Sequence, residues 1–334
     1  MKQGDSVDLR TNNRHVIKTI QVQDGDVFDC IDIHQQPAFD HPLLKNHVIQ
    51  MKPHTYPSGV HNNFTSNATK LVTQLPTVGC PTGTIPMLRR IVEGDPIKSS
   101  HFHTMNNELN WKLVGIKTSS YAIYGTRVSI NVYEPEVKGK NGDLSASWTL
   151  LVSQESNNDG LGAGSIVCPS FHGDNSARFH ITWSNDAHQE PCYDLLCPGF
   201  VQTSQSIGLG GKLQPISIYN GPQYKIDILI FKLSSLFTGM KDKADAVFWG
   251  GYVHGPTVEM NPPQVGSGHF AEEGFGKAAF VRDIKVVNEN NVLVTPDTRK
   301  SFAQSSRTKC YTVADYGQDK NGMHVYFGGP GNCN

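Results

Sequence analysis

Residues 224–233 read YKIDILIFKL, and this run shows the pattern that decides the fold. Ile226, Ile228 and Ile230 alternate with other residues, so in a β-strand they share one face. Runs rich in Val, Ile, Tyr, Phe and Thr recur from about residue 115 onward, separated by turn residues. They cover residues 121–135, 145–153, 177–185, 246–253, 277–288 and 323–329. Strands at this spacing predict an all-β sandwich or barrel, and only residues 234–246 offer a possible helix.

The N-terminal part of the chain has a different texture. Alternating runs at 15–22, 27–33 and 47–52 predict strands, and the segment between the last two, with two prolines, could form a turn of helix. Residues 93–110 are polar and weakly patterned, as in a linker. We therefore expect a small β-rich N-terminal domain over 1–92, a linker over 93–112 and a larger β-rich domain over 113–334.

Composition excludes several classes of partner. The 334 residues carry a formal net charge of −1, and 18% of them are charged, so no basic surface for nucleic acid is evident. The sequence contains no run of eighteen apolar residues, so a membrane-spanning helix is not predicted. The glycines in GLGAGSIVCPS, residues 160–170, precede a β-branched run that ends in proline, and no P-loop lysine follows. We expect neither a nucleotide nor another cofactor, and no nucleic-acid or membrane partner.

Seven cysteines indicate an oxidising compartment. None forms a CxxC pair, and no histidine lies at zinc-finger spacing, so a structural zinc site is not predicted. Their positions predict three disulfides and leave Cys168 as a half-buried strand residue. The predicted pairs are Cys30–Cys80, Cys192–Cys197 and Cys310–Cys333.

Two glycosylation sequons support the same interpretation. They lie at Asn63 and Asn67, in a polar loop. We expect a secreted protein, although the N-terminus shows no apolar signal-peptide core. The alternative is a cytosolic protein with seven reduced, buried thiols.

Residue chemistry alone identifies no catalytic site. HFH at 101–103 lies in the predicted linker without a nearby carboxylate cluster, which predicts a solvated loop and no metal. GSGHF at 266–270 is similar to a nucleophile elbow but does not match G-x-S-x-G. Adjacent Glu272 and Glu273 would point to opposite faces of a strand, so surface or turn positions are expected.

Long stretches in both halves of the sequence resemble the plant neprosin family, and they occur in the same order as in that family. In the first half they are DCIDIHQQPAFDHPLLKNHVIQMKP (29–53) and CPTGTIPMLRR (80–90). In the second half they are GDNSARFHITWSNDAHQEPCYDLLCPGFVQ (173–202), VGSGHFAEEGFGKAAFVRDIKVV (265–287) and YFGGPGNC (326–333). The resemblance implies an antiparallel β-sandwich preceded by an activation domain that is removed by cleavage. It also implies a glutamic endopeptidase that cuts at proline in acid, using two glutamates on neighbouring strands.

Both glutamate positions are substituted in this chain. Typical members read Ile-Glu-Ala-Gly-Trp just before the GDN motif, and here the matching residues are 161–165, with Gly162 at the glutamate position. The second motif, Trp-Gly-Gly-Glu, corresponds to 249–252, with Tyr252 in place of glutamate. Asp159 and Glu259 are the nearest acids, but neither is in register to substitute. A Trp-rich strand pair of the family also looks deleted near 233–246.

The resemblance therefore predicts a protein that has lost the acid–base pair. Loss of one positioned acid or base costs roughly 10²- to 10⁴-fold in rate, so loss of both leaves little beyond binding. We expect a monomer that binds Pro-containing peptides or proteins without cutting them. Two alternatives stay open at this point: an active glutamic-type prolyl endopeptidase using other acids, and a structural, wall-associated glycoprotein.

Overall fold

The computed structural model describes most, but not all, of the chain. The described residues are 14–60, 71–89, 111–138, 142–153, 159–185, 188–231, 237, 239–319 and 322–333. The predicted glycosylation sites Asn63 and Asn67, the HFH stretch at 101–103 and most of the predicted linker lie outside these ranges. The domain boundaries at 92 and 113 stay a prediction, although Trp111 and Lys112 already form the start of a strand.

Nearly all regular structure in the described residues is β. The strands are β1 (Val16–Gln21), β2 (Val27–Asp32), β3 (Thr84–Leu88), β4 (Trp111–Ile123), β5 (Gly125–Asn131), β6 (Leu144–Val152), β7 (Gly160–Val167), β8 (Arg178–Asn185), β9 (His188–Tyr193), β10 (Lys225–Phe231), β11 (Ala244–His254), β12 (Ala279–Val287), β13 (Leu293–Val294), β14 (Ser301–Ser305), β15 (Thr312–Asp319) and β16 (Gly322–Gly328). One α-helical turn, α1 (Pro169–His172), follows β7. Short 3-10 turns cover Ile33–Gln35, Pro37–Asp40, Pro42–Leu44, Ala271–Glu273 and Thr298–Lys300.

Two antiparallel sheets stack face to face and form the predicted β-sandwich. The larger has the strand order β14-β4-β11-β6-β7-β8-β9, and the smaller has β10-β5-β12-β16-β15, with β13 beside β12. Alternate residues of both sheets meet in one buried core, which includes Trp249, Val247, Ile130 and Val325. This inner face explains the period-two pattern of the sequence, because every second residue must be apolar to line the core. The all-β sandwich prediction is confirmed.

Some local predictions differ from the structure. Residues 47–52 form no strand, because the short alternating run has no partner strand and lies largely exposed. The helix proposed for 234–246 is wrong at its C-terminal end, since Ala244 already begins β11 and pairs with Ile123 of β4. Strands β14 and β15 were not predicted because their residues are half-buried or exposed and lack an apolar alternation.

The three predicted disulfides are present. Cys30 pairs with Cys80, Cys192 with Cys197, and Cys310 with Cys333. Cys168 lies outside these three disulfides and is only 1% exposed, so it is more deeply buried than the half-buried strand position expected. It lies one residue beyond β7, where a buried cysteine behaves as a small apolar side chain.

The N-terminal region, residues 14–89, packs on one end of the larger sheet. Strands β1, β2 and β3 form a separate three-stranded sheet. Its Ile31, Ile85 and Met87 join Leu195 and Leu209 of the sandwich in a shared buried cluster. Gln36 also donates from Nε2 to the carbonyl of Gln202 and accepts from the Gln202 amide, at 3.1 and 2.7 Å. Both apolar burial and paired amides therefore hold this region to the sandwich.

Arg178 at the start of β8 ties the two parts together electrostatically. Its guanidinium is buried and donates to both carboxylate oxygens of Asp26, at 2.9 and 3.0 Å. A further bond, at 2.8 Å, goes to Asp174, which also lies 3.3 Å from the Lys212 ammonium. A buried two-pronged pair of this kind is costly to break, since Asp174 alone would remain to compensate the buried guanidinium.

We predict that Asp174 makes folding stability depend on pH between about 4 and 2. Burial raises the pKa of Asp174, but hydrogen bonds from Arg178 and the Ser176 amide, with the Arg178 and Lys212 charges, outweigh it and lower the pKa to about 2. A folded pKa below the unfolded one gives stability that is present above the unfolded value of about 3.9 and is lost as pH falls through the folded value. Chemical denaturation of Asp174→Asn should thus show a shallower loss of stability over this range than the unmodified protein.

The matched control is Asp242→Asn, which changes an exposed loop carboxylate. It should leave the slope of stability against pH unchanged. Equal slopes for Asp174→Asn and the unmodified protein would contradict the assignment.

Candidate functional site

The outer face of the larger sheet carries a second, smaller apolar cluster. Its buried members are Leu144, Ala146, Trp148, Ile166, Cys168, Tyr193 and Tyr252, and we call this group the outer cluster. Half-buried side chains form its rim: Trp111, Leu113, Leu150, Phe171 and Leu196. Because side chains alternate across a strand, the same strands that fill the inner core also place these residues on the opposite face. Both positions predicted to match the family's glutamates lie on this face.

Gly162 on β7 is covered by the indole of Trp148. A Cβ added at Gly162 would overlap Trp148 Nε1 and lie 2.9 Å from both Trp148 Cε2 and the Thr149 carbonyl oxygen. At Gly164 an added Cβ would come within 2.7 Å of Trp148 Cε3. Trp148 lies directly opposite Gly164 in the β6–β7 register. The two glycines therefore provide a flat surface on which the indole packs, and this surface leaves no room for a carboxylate side chain.

Tyr252 on β11 is locked into the same cluster. The centroid of its ring lies 4.9 Å from the Trp111 ring centroid and 6.0 Å from the Trp148 ring centroid. The Tyr252 and Trp148 rings meet edge-on. Its phenol and that of Tyr193 share a hydrogen bond. Burial, with a smaller contribution from nearby Cys168, raises the pKa of Tyr252 well above its usual value, and the bond to Tyr193 only partly offsets this. The phenol stays neutral and cannot act as a base in acid.

Trp148 thus lies between the two predicted acid positions, covering Gly162 and contacting Tyr252. The outer cluster contains no carboxylate. Asp194, next to Tyr193, accepts hydrogen bonds from His180 and the Ile181 amide. As the described residues stand, no pair of carboxyl groups is assembled at this place.

The other acids considered from the sequence have structural partners elsewhere. Asp159 is buried and accepts from the Gly239 and Met240 amides. Glu259 pairs with Lys112 and Arg307 at the surface, and its hydrogen bond to Lys112 lowers its pKa. Glu272 and Glu273 lie exposed in a 3-10 turn, as predicted. None of the four lies in the outer cluster.

Two further searches bear on the class of site. Within the described ranges, no helix is long and apolar enough to cross a membrane. The same residues contain no group of three or more His, Cys, Asp or Glu side chains arranged around one point as metal ligands.

Comparison with known families decides the relationship. The profile described as Neprosin activation peptide matches residues 19–123, and the profile described as Neprosin matches residues 141–235 and 233–330. The chain belongs to the neprosin family. Among solved structures, the crystal structure of Scytalido-glutamic peptidase with a peptide-based transition state analogue is similar at 12% identity and a TM-score of 0.32. The match covers 65% of this chain and 97% of that one.

The role of Trp148 in this neprosin-family chain was missed from the sequence. The signal was present in the alternation: in SASWTLLV and GLGAGSIV, residues 145–152 and 160–167, a hairpin register places a tryptophan opposite a glycine. Only the register shows this, however, and a one-residue shift would put Trp148 on the inner face. The three polar residues His172, His180 and Asp194 were missed too, because sequence order does not bring them together.

We predict that Gly162→Ala destabilises the protein by about 1–3 kcal/mol, the usual cost of forcing extra atoms into a packed site. The added methyl must displace the Trp148 indole, which is only 1% exposed. Urea denaturation measures the effect. Gly79→Ala is the matched control, because nothing lies within 4 Å of a Cβ at that position. Equal stability of the Gly162→Ala and Gly79→Ala proteins would contradict the packing described for Trp148.

Proposed function

We propose that this neprosin-family protein binds Pro-containing peptide segments without cleaving them. The observation that carries the proposal is the Trp148 indole, which fills the space over Gly162 where a catalytic glutamate is expected. Proton transfer needs a carboxyl pair in which one group is ionised and the other protonated. Gly162 supplies no ionisable group, and the buried phenol of Tyr252 is held neutral.

The rim of the outer cluster supports recognition of an apolar, extended ligand. Trp111 is half-buried, stacks against Tyr252 and lies 4.3 Å from the His254 ring. Leu113, Leu150 and Phe171 continue this half-exposed apolar edge. Aromatic surfaces of this type bind proline rings in other recognition domains, because a proline-rich segment is already extended and loses little entropy on docking.

We further propose that the protein acts outside the cell, as a monomer. Three disulfides support the location, since such bonds persist in oxidising compartments.

The first test is an assay at acid pH with a Pro-containing peptide followed by mass spectrometry. We expect no cleavage by the unmodified protein. We also expect none by Gly162→Glu/Tyr252→Glu, because Trp148 still occupies the space that the first glutamate needs. Adding Trp148→Ala to that pair opens the site, and this triple variant is the one expected to gain detectable cleavage.

Cleavage by the unmodified chain, shown free of contaminating peptidase, would overturn the loss of catalysis and favour an active endopeptidase. The control for the triple variant is Trp148→Ala alone, which opens the site without adding an acid and should remain inactive. Activity in that single variant would show that acids other than those at 162 and 252 act.

The second test measures peptide binding by calorimetry. Trp111→Ala should weaken binding of a Pro-containing peptide about tenfold, the usual effect of truncating an aromatic anchor. Tyr316→Ala is the matched control, since this aromatic is exposed and lies on β15 of the other sheet. Absence of binding by the folded, unmodified protein, or equal weakening by both variants, would overturn the peptide-binding role and favour a structural one.

A further inference from the structure

Three polar side chains form a line beside the outer cluster that the proposed function does not use. Asp194 Oδ2 lies 2.7 Å from Nδ1 of His180, and Nε2 of His180 lies 3.1 Å from Nε2 of His172. Asp194 and His180 are almost fully buried, and His172 is half-buried at the end of α1. The line of three side chains therefore runs from the interior of the protein, at Asp194, towards solvent, at His172.

The structure fixes the carboxylate end of this line. Asp194 has a left-handed backbone, with φ of 49°, which is uncommon for a residue other than glycine. Its Oδ1 accepts from the Ile181 amide at 3.1 Å, and its own amide donates to the Ile181 carbonyl, also at 3.1 Å. Aspartate adopts this conformation more readily than most residues other than glycine. Here it aims the carboxylate at His180.

This arrangement sets the tautomer of His180. A carboxylate accepts hydrogen bonds, so Nδ1 of His180 carries the hydrogen and donates it to Asp194. In the neutral ring Nε2 then carries a lone pair, and it points at His172. A carboxylate behind a histidine is the usual way in which proteins orient a metal-binding imidazole and raise its basicity.

Two facing Nε2 atoms need a positive centre between them, either a shared hydrogen or a metal ion. Two imidazole nitrogens that bind one ion at about 2.0–2.1 Å lie roughly 2.9–3.4 Å apart for angles between octahedral and tetrahedral. The observed 3.1 Å falls within this range. The ring centroids are 5.0 Å apart and the rings are tilted by 34°, so the two rings approach each other through their Nε2 edges.

We propose that His172 and His180 chelate a divalent transition-metal ion through Nε2, with Asp194 orienting His180. No third His, Cys, Asp or Glu among the described residues completes the coordination, so water takes the remaining positions. Imidazole ligands suit Cu²⁺ and Zn²⁺, and Cu²⁺ binds more tightly to a given set of nitrogen ligands. The ligand class is therefore a Cu²⁺-type ion, bound at a site with open positions.

The surroundings fit such a site. The Phe171 ring packs edge-on against His172 at 4.8 Å and lies 6.3 Å from His180. Tyr193 lies edge-on to His180 at 6.3 Å. An apolar shell of this kind holds the rings in place. Half-buried His172 provides the route by which an ion reaches the pair.

The test titrates the full chain, first stripped with a chelator, with Cu²⁺ alone, followed by calorimetry and electron paramagnetic resonance. We expect the unmodified protein to bind one more equivalent than His172→Gln, with nitrogen hyperfine splitting from imidazole. Asp194→Asn should keep this equivalent but bind it roughly 10- to 100-fold more weakly. His269→Gln is the matched control, since that histidine pairs with Glu273 on the surface, and it should titrate like the unmodified protein.

Equal stoichiometry and affinity for the unmodified protein and His172→Gln would overturn the proposal. A second measurement avoids dependence on a variant that fails to fold. In the unmodified protein, substoichiometric Cu²⁺ should broaden the imidazole NMR signals of His172 and His180 before those of other histidines. Preferential broadening elsewhere, or none, would show that the two rings share only a hydrogen.

Discussion

The contact between the Trp148 indole and the bare backbone of Gly162 and Gly164 organises the outer face of the larger sheet. An indole can lie flat across a neighbouring strand only where that strand has no Cβ atoms on the same face. Tyr252 then packs on the edge of the indole, and Trp111 packs on Tyr252. Removing the glycines or the indole would disturb each later contact, because buried side chains in a close-packed cluster have few alternative positions.

The sequence predicted most of the strands that bury one face, but it missed β14 and β15, which bury no side chain fully, and also the fully buried β3. Residues 224–233 alternate because Ile226 and Ile228 face the core, and the same reason explains β6, β8, β11 and β12. Strand β14 needs no apolar alternation, because its pairing with β4 is made by backbone groups and none of its side chains is fully buried. A period-two pattern of apolar residues reflects burial of one face. A strand that is held only by backbone hydrogen bonds therefore shows no such pattern in the sequence. For the candidate site, the sequence could predict only which residues, 162 and 252, match the glutamate positions. It could not predict that Trp148 covers Gly162, because that contact depends on the register between β6 and β7.

The N-terminal region and the sandwich share one set of apolar side chains. Phe179 and Ile181 of β8 contact the core between the two sheets and also the cluster under the N-terminal sheet. Separation of the two parts would therefore expose Leu195 and Leu209 and leave the buried guanidinium of Arg178 without the Asp26 carboxylate. Burying a charge without its partner is strongly unfavourable, so the cohesion of the two parts comes from the same residues that build β8.

An aromatic cluster at this face differs energetically from a pair of carboxyl groups. Two acids close together in a half-buried site repel each other and resist desolvation, and proteins retain such groups at a cost in stability because function requires them. Trp148 and Tyr252 instead bury apolar area, with the Tyr252 phenol satisfied by Tyr193. Polar groups that remain nearby, His172, His180 and Asp194, are each held by hydrogen bonds within their own line. The outer face therefore presents neutral, largely apolar side chains, and residues 162 and 252 supply no carboxyl group to it.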